Sequence, residues 1–135
     1  MAIQRLNPDG LFKPDSYFQV AVASGTRTIY ISGQVAQDEN GTVVGKGDLA
    51  AQSEQIYRNL AAALAGAGAS FADVARLTAY VVDWSPDKMG LLVEGAMRAA
   101  TALGFDPRTS ITLIGVSALS TPDLLMEAEA VAVID

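Results

Sequence analysis

Nine residues near the end of the chain, Met126 to Ile134, constrain its architecture more than any other segment. They alternate with the period of a strand. Met126, Ala128, Ala130 and Ala132 fall on one face, and Glu127, Glu129, Val131 and Val133 fall on the other. The alanine face is small enough to let helices approach closely. If the helices lie on that side, nothing in the chain covers the opposite face. Two carboxylates and two valines must then meet solvent or another subunit, and the valines favour the subunit.

Two helices are predicted. Asp48 is a good N-cap, and Leu49, Ile56, Leu60, Ala63, Leu64 and Ala67 follow a helical stripe that Gly66 and Gly68 stop. Ser85-Pro86 opens the second, with the stripe Met89, Leu92, Val93, Ala96, Ala100 and Leu103 ending at Gly104. Ser70 caps a single turn over 71–74. Strands are predicted over 18–23, 28–35, near 42–44, and over 77–82, 109–116 and 126–134. Ser24-Gly25-Thr26 and Asp38-Glu39-Asn40-Gly41 are the turn signals between the first three. In the second strand Ile29, Ile31 and Gly33 share one face, and Tyr30, Ser32 and Gln34 the other. Residues 1–16, with Pro8, Gly10 and Pro14, read as an irregular arm. The order β-β-β-α-β-α-β-β predicts an α+β fold, a mixed sheet with two helices packed on one face.

The 135 residues are expected to form one domain, 1–135. A chain of this mass can bury about two-thirds of its unfolded surface, so it needs no staples. Hydrophobic residues make up 50% and charged residues 18%, which is apolar for a small monomer and points to oligomerisation.

Composition also restricts the chemistry. The chain has no cysteine and no histidine. That excludes disulfides, a thiolate nucleophile, zinc–sulfur sites, an imidazole base and the Ser-His-Asp triad, and no metal or cofactor is expected. The net charge is -6 and basic residues are scattered singly, so no nucleic-acid partner is expected. No apolar run is long enough to span a bilayer, and the segment from Met1 to Arg5 lacks a signal-peptide core. No membrane association and a cytoplasmic location are therefore expected.

A few residues remain as candidates for a site. Arg108, after Pro107 at the start of a strand, can bind a carboxylate through two parallel hydrogen bonds, or serve as an ordinary ion-pairing arginine. Glu127 is expected on a strand neighbouring the one Arg108 begins, where it could orient water, act as a base or hold the arginine. Glu129, two residues on, is equally eligible by periodicity. Gly33, between Ser32 and Gln34, marks a bulge, a close ligand approach or tight packing by a neighbour. Tyr17 offers a phenol at a strand edge or an anchor for the arm. Tyr80 and Trp84 read as packing residues.

These segments, in this order, resemble the Rid/YjgF family of reactive intermediate (enamine/imine) deaminases. The matching pieces are Ser16-Tyr17-Phe18-Gln19, Ile31-Ser32-Gly33-Gln34, Gln52 with Asn59 and Leu60, Asp73-Val74, Pro107-Arg108-Thr109, and the run from Glu127 to Ala132. The resemblance implies a chorismate-mutase-like α+β fold and a homotrimer with ligand clefts between subunits. It implies a cofactor-free hydrolase that converts 2-enamine or 2-imine intermediates into 2-keto acids and ammonia. Arg108 would bind the substrate carboxylate and Glu127 would position water, with Tyr17, Ser32, Gly33 and Ser110 lining the cleft. The partner is then a small imine, enamine or carboxylate. Alternatives are a different, pathway-specific imine, or a non-catalytic binding or chaperone-like trimer. Ribonuclease activity, ascribed to some relatives, fits poorly with an acidic chain lacking histidine. Three departures mark this chain: Ser110 stands where relatives often carry cysteine, the second helix presents Leu92, Val93, Ala96 and Met97 instead of an asparagine and an aromatic, and residues 116–125 form a longer connection.

Overall fold

The computed structural model describes residues 3–135. Met1 and Ala2 of the expected irregular arm lie outside the described residues. The strands are β1 (Ile3–Leu6), β2 (Val20–Ala23), β3 (Arg27–Val35), β4 (Val74–Val82), β5 (Ile111–Val116) and β6 (Met126–Ile134), with helices α1 (Leu49–Gly66) and α2 (Met89–Leu103). Four strands form a mixed sheet in the order β3-β6-β4-β5, in which only β4 and β5 run parallel, and α2 makes the crossover between them. The two helices pack on one face of this sheet. This is the α+β architecture the sequence predicts.

The alanine face of β6 holds the centre. Ala128, Ala130 and Ala132 are buried under the helices together with Leu77, Ala79 and Val81 of β4. Ile56, Leu60 and Leu64 of α1 are wholly buried above them. Asp48 caps α1 by accepting the Ala51 amide at 3.0 Å. At the other end Ala69 N–H bonds Leu64 O and Gly68 N–H bonds Ala65 O, with Gly68 at φ 80°, a left-handed stop only glycine takes readily. A short 3₁₀ turn, Pro86–Lys88, precedes α2, so the second helix begins three residues later than Pro86.

The helices meet at Gly95. A Cβ there would fall 2.3 Å from Ala50 O and 2.6 Å from Glu54 N, both backbone atoms of α1. Ser53 ties the same contact by donating to Leu92 O at 2.8 Å. Backbone cannot swing aside as a side chain does, so Gly95→Ala must separate the helices. The expected cost is about 1–3 kcal/mol, read as a lowered urea midpoint; an unchanged midpoint would show that the helices do not pack this closely.

Several expectations are corrected. A strand, β1, emerges from the segment read as irregular, and it pairs with β2 in a separate two-stranded sheet. Arg5 anchors it by donating to Phe71 O at 2.9 Å and Val74 O at 2.7 Å. No strand forms near 42–44, where only an isolated Gln37–Val43 bridge occurs. Within β3 the register shifts between Ile31 and Gln34. Ile31 lies opposite Ala130 and Gln34 opposite Ala128, so both lie on the helix side. The period-two reading of Gly33 and Gln34 fails because a bulge inserts one residue and reverses the alternation.

The other face of the sheet has no layer over it. Tyr30 is 79% exposed there, beside half-buried Val131, its register partner, and exposed Ile114 lies on β5. Tyr80 lies on this open face, not in the core: its hydroxyl bonds the Glu129 carboxylate. That contact pushes the phenol above its ordinary pKa. Trp84 is partly buried against the core, as expected of a packing residue.

Candidate functional site

The approach to β5 is stitched to the N-terminal segment. Phe18 N–H donates to Thr109 O at 3.1 Å, and Phe18 bridges Ser110 in parallel. This seam brings Tyr17 and Arg108 to the mouth of one cavity of about 710 Å³. Residues 15–17, Gln19 and residues 106–109 form its rim, and α1, α2, β4, β5 and β6 supply its walls.

Arg108 is held before any ligand arrives. Its Nε lies 3.1 Å from Asp106 Oδ1 and its Nη2 2.8 Å from Asp106 Oδ2. Asp106 also accepts the Arg108 amide at 3.0 Å, so the carboxylate is fixed by the turn it caps. The guanidinium lies 5.4 Å from the centre of the Phe18 ring, within range of a cation–π contact. The Arg108 guanidinium holds the Asp106 carboxyl below its usual range, and Asp106 raises Arg108 in return. One edge of the guanidinium is thus occupied by Asp106. Among the described residues Nη1 has no hydrogen-bond partner.

Thr109 and Ser110 are used structurally. Thr109 Oγ1 donates to Val74 O at 2.9 Å and Ser110 Oγ to Ala75 O at 2.6 Å, both on β4. Ser110 is buried and does not line the cavity. Gln52 and Asn59 have similar duties. Gln52 is fully buried, donates to Gly45 O and Asp123 O, and accepts the Leu125 amide. Asn59 donates to Val35 O and Gln37 O. They pin the long connections, including 116–125, to α1.

Glu127 and Gly33 form a second cluster elsewhere. The Glu127 side chain lies over Gly33, where an added Cβ would fall 1.8 Å from Oε2 and 2.7 Å from Cδ. Close packing by Glu127 and the bulge together explain the glycine. Ser32 is exposed beside it. Among the described residues Glu127 has no hydrogen-bond partner, whereas Glu129 is engaged by Tyr80. Environment thus separates two carboxylates that periodicity leaves equivalent.

Arg108 and Glu127 do not meet within one protomer. The expectation that β6 neighbours β5 is corrected: β4 lies between them, because β5 is placed by the parallel crossover through α2. Glu127 is level with Tyr80, and Arg108 lies near the level of Val74. Six residues of strand separate those levels, about 20 Å. The clusters also lie on opposite faces of the sheet. Of the sequence-predicted residues, the structure joins Tyr17 with Arg108, and Ser32 and Gly33 with Glu127. Asp106 escaped the sequence reading, although an aspartate two residues before an arginine, followed by proline, is a turn signal. Among the described residues no cluster of three or more acidic side chains could hold a metal, and no helix is long and apolar enough to cross a membrane.

Comparison with known proteins agrees with this architecture. The family described as Endoribonuclease L-PSP matches residues 12–134. The structure of a conserved Rid family protein, YyfB from Yersinia pestis, is 40% identical, covers 98% of this chain and 99% of its own, and superposes with a TM-score of 0.85. The structure of RidA from an Antarctic Psychrobacter is 25% identical, covers 99% of both chains and has a TM-score of 0.66. A RutC family protein from Pyrococcus abyssi is 38% identical over 72 residues, which cover 53% of this chain and 55% of that protein. The chain spans about half the length of the first curated relatives it matches, 51% to 56%. With a match over nearly its whole length and the same mixed sheet under two helices, the chain belongs to the Rid/YjgF family, which also carries the L-PSP name.

Proposed function

We propose that this protein hydrolyses reactive 2-imino acids, and the enamines that tautomerise to them, to 2-keto acids and ammonia. It works as a homotrimer whose clefts take Tyr17 and Arg108 from one subunit and Ser32, Gly33 and Glu127 from the next. One observation carries the reading: an arginine with Nη1 unpaired at a cavity mouth and a carboxylate without a hydrogen-bond partner, among the described residues, stand on surfaces that a single protomer keeps apart. The open sheet face, with Tyr30, Val131 and Ile114, supports a neighbouring subunit. An accessible surface of 7230 Å², above the roughly 6,700 Å² expected for a compact monomer of this mass, agrees with that.

The chemistry asks little of the protein, since an iminium carbon is already electrophilic. Arg108 Nη1 binds the substrate carboxylate and fixes the approach. Glu127 accepts a proton from the attacking water as its oxygen bonds to the iminium carbon, giving a neutral carbinolamine. Glu127 returns that proton to the amine nitrogen, the C–N bond breaks as the carbinolamine hydroxyl loses its proton to solvent, and ammonia and the 2-keto acid leave. The family description names an endoribonuclease, but a chain of net charge -6 without histidine is poorly suited to a polyphosphate substrate.

The test is release of ammonia and keto acid from a panel of 2-imino acids generated in situ by an amino-acid oxidase. Acceleration over spontaneous hydrolysis is expected; none with any member overturns the reading.

A further inference from the structure

The cavity below Arg108 is larger than a short imino acid requires. Its volume of about 710 Å³ falls within the roughly 300–1,000 Å³ that accommodates drug-sized ligands. Its charges are confined to one side: Asp15, Asp106 and Arg108 come from the two rim segments. α2 contributes only Met89, Leu92, Val93, Ala96 and Met97, and β5 only Ile111 and Leu113. Tyr57 of α1 also lines the cavity, buried, with its phenol pushed up to about 12 by that burial, so it stays neutral. A ligand whose carboxylate reaches Arg108 at the rim directs its side chain toward these walls. Nothing there can pair with a second charge, and a short side chain would leave the walls uncovered.

We infer that the substrates are 2-imino acids with a large uncharged side chain, branched, thioether or aromatic, seated between α2 and β5. This rests on the deaminase reading and names its substrate class. Two methionines on the wall suit side chains of differing shape. Each buried methylene is worth roughly fourfold in affinity, so a side chain of four carbons or more should outbind a methyl group by at least tenfold.

The test is binding of stable 2-keto acids, which keep the carboxylate and side chain of the substrate, measured by calorimetry on the intact protein. Pyruvate, 2-oxoglutarate, 4-methyl-2-oxopentanoate and phenylpyruvate form the series. The two large uncharged acids are expected to bind at least tenfold more tightly than pyruvate or 2-oxoglutarate. Val93→Trp, at an exposed wall position that should fold normally, is expected to bring the ratio toward one. Equal affinity across the series, tighter binding of pyruvate, no measurable binding of the large acids, or an unchanged ratio in Val93→Trp overturns the inference. Selective binding of the large acids without ammonia release from any imine overturns the deaminase reading instead, so the two failures are distinguishable.

Discussion

Arg108→Ala lowers kcat/KM for imine hydrolysis by roughly a hundredfold or more, with little change in thermal stability. The asymmetry follows from where the arginine lies. Arg108 and Asp106 are both about half exposed, at 47% and 58%, so their ion pair contributes less than about 1 kcal/mol to folding. Among the described residues the same guanidinium is the only cation lining the cavity. Without it the substrate carboxylate meets Asp15 and Asp106 with nothing to offset them, and binding as well as alignment is lost. Arg108→Lys should not restore activity. An ammonium cannot bond Asp106 on one edge, present a second edge to the substrate and stack on Phe18 at once. Steady-state assays beside thermal melts check this; full activity in either variant would remove Arg108 from the site.

Glu127→Gln lowers kcat by roughly 10²–10⁴-fold while KM changes little. The amide keeps the shape that rests on Gly33 but cannot accept the proton of water. Gly33→Ala reaches the same result from the other side. Its Cβ would fall 1.8 Å from Oε2, and the far end of a glutamate can swing away at small energetic cost. The fold should therefore survive while the carboxylate leaves its position, so kcat falls without a matching loss of stability. Glu129→Gln serves as the contrast. It disturbs an exposed contact with Tyr80 and should leave kcat within a few-fold. A kcat loss in Glu129→Gln equal to that in Glu127→Gln would show that the wrong carboxylate has been assigned.

Much of the fold is legible in the sequence. Asp48, Gly68 and Gly104 announce helix ends because caps are local chemistry read within a few residues. The alternation of β6 marks its buried face, where Ala128, Ala130 and Ala132 lie under the helices. What escaped depends on distant contacts. β1 has no strong pattern of its own, and its strand character comes from β2, which begins fourteen residues after β1 ends, and from Arg5 reaching the carbonyls after α1. The face reversal in β3 comes with a register shift against β6, and the side chain that lies over Gly33 there, Glu127, is almost a hundred residues away. Sequence likewise placed Arg108 and Glu127 on neighbouring strands. The parallel crossover inserts β4 between β5 and β6, and no local signal reports a strand order. The family motif residues divide on the same ground: Gln52, Asn59 and Ser110 bind backbone, whereas Tyr17 and Arg108 face a cavity.

The separation of Arg108 from Glu127 within a protomer makes the central claim testable in one measurement. Arg108→Ala and Glu127→Gln chains, each inactive alone and carrying different affinity tags, are co-expressed, and the mixed oligomers are isolated through both tags. A cleft between subunits can then receive Arg108 from one chain and Glu127 from the other. In a cyclic trimer that contains both chains one cleft in three is then intact, so imine hydrolysis should return to about a third of the wild-type rate. Mixed oligomers as inactive as either parent would contradict the account, because the two residues would then have to act within one chain or not together at all.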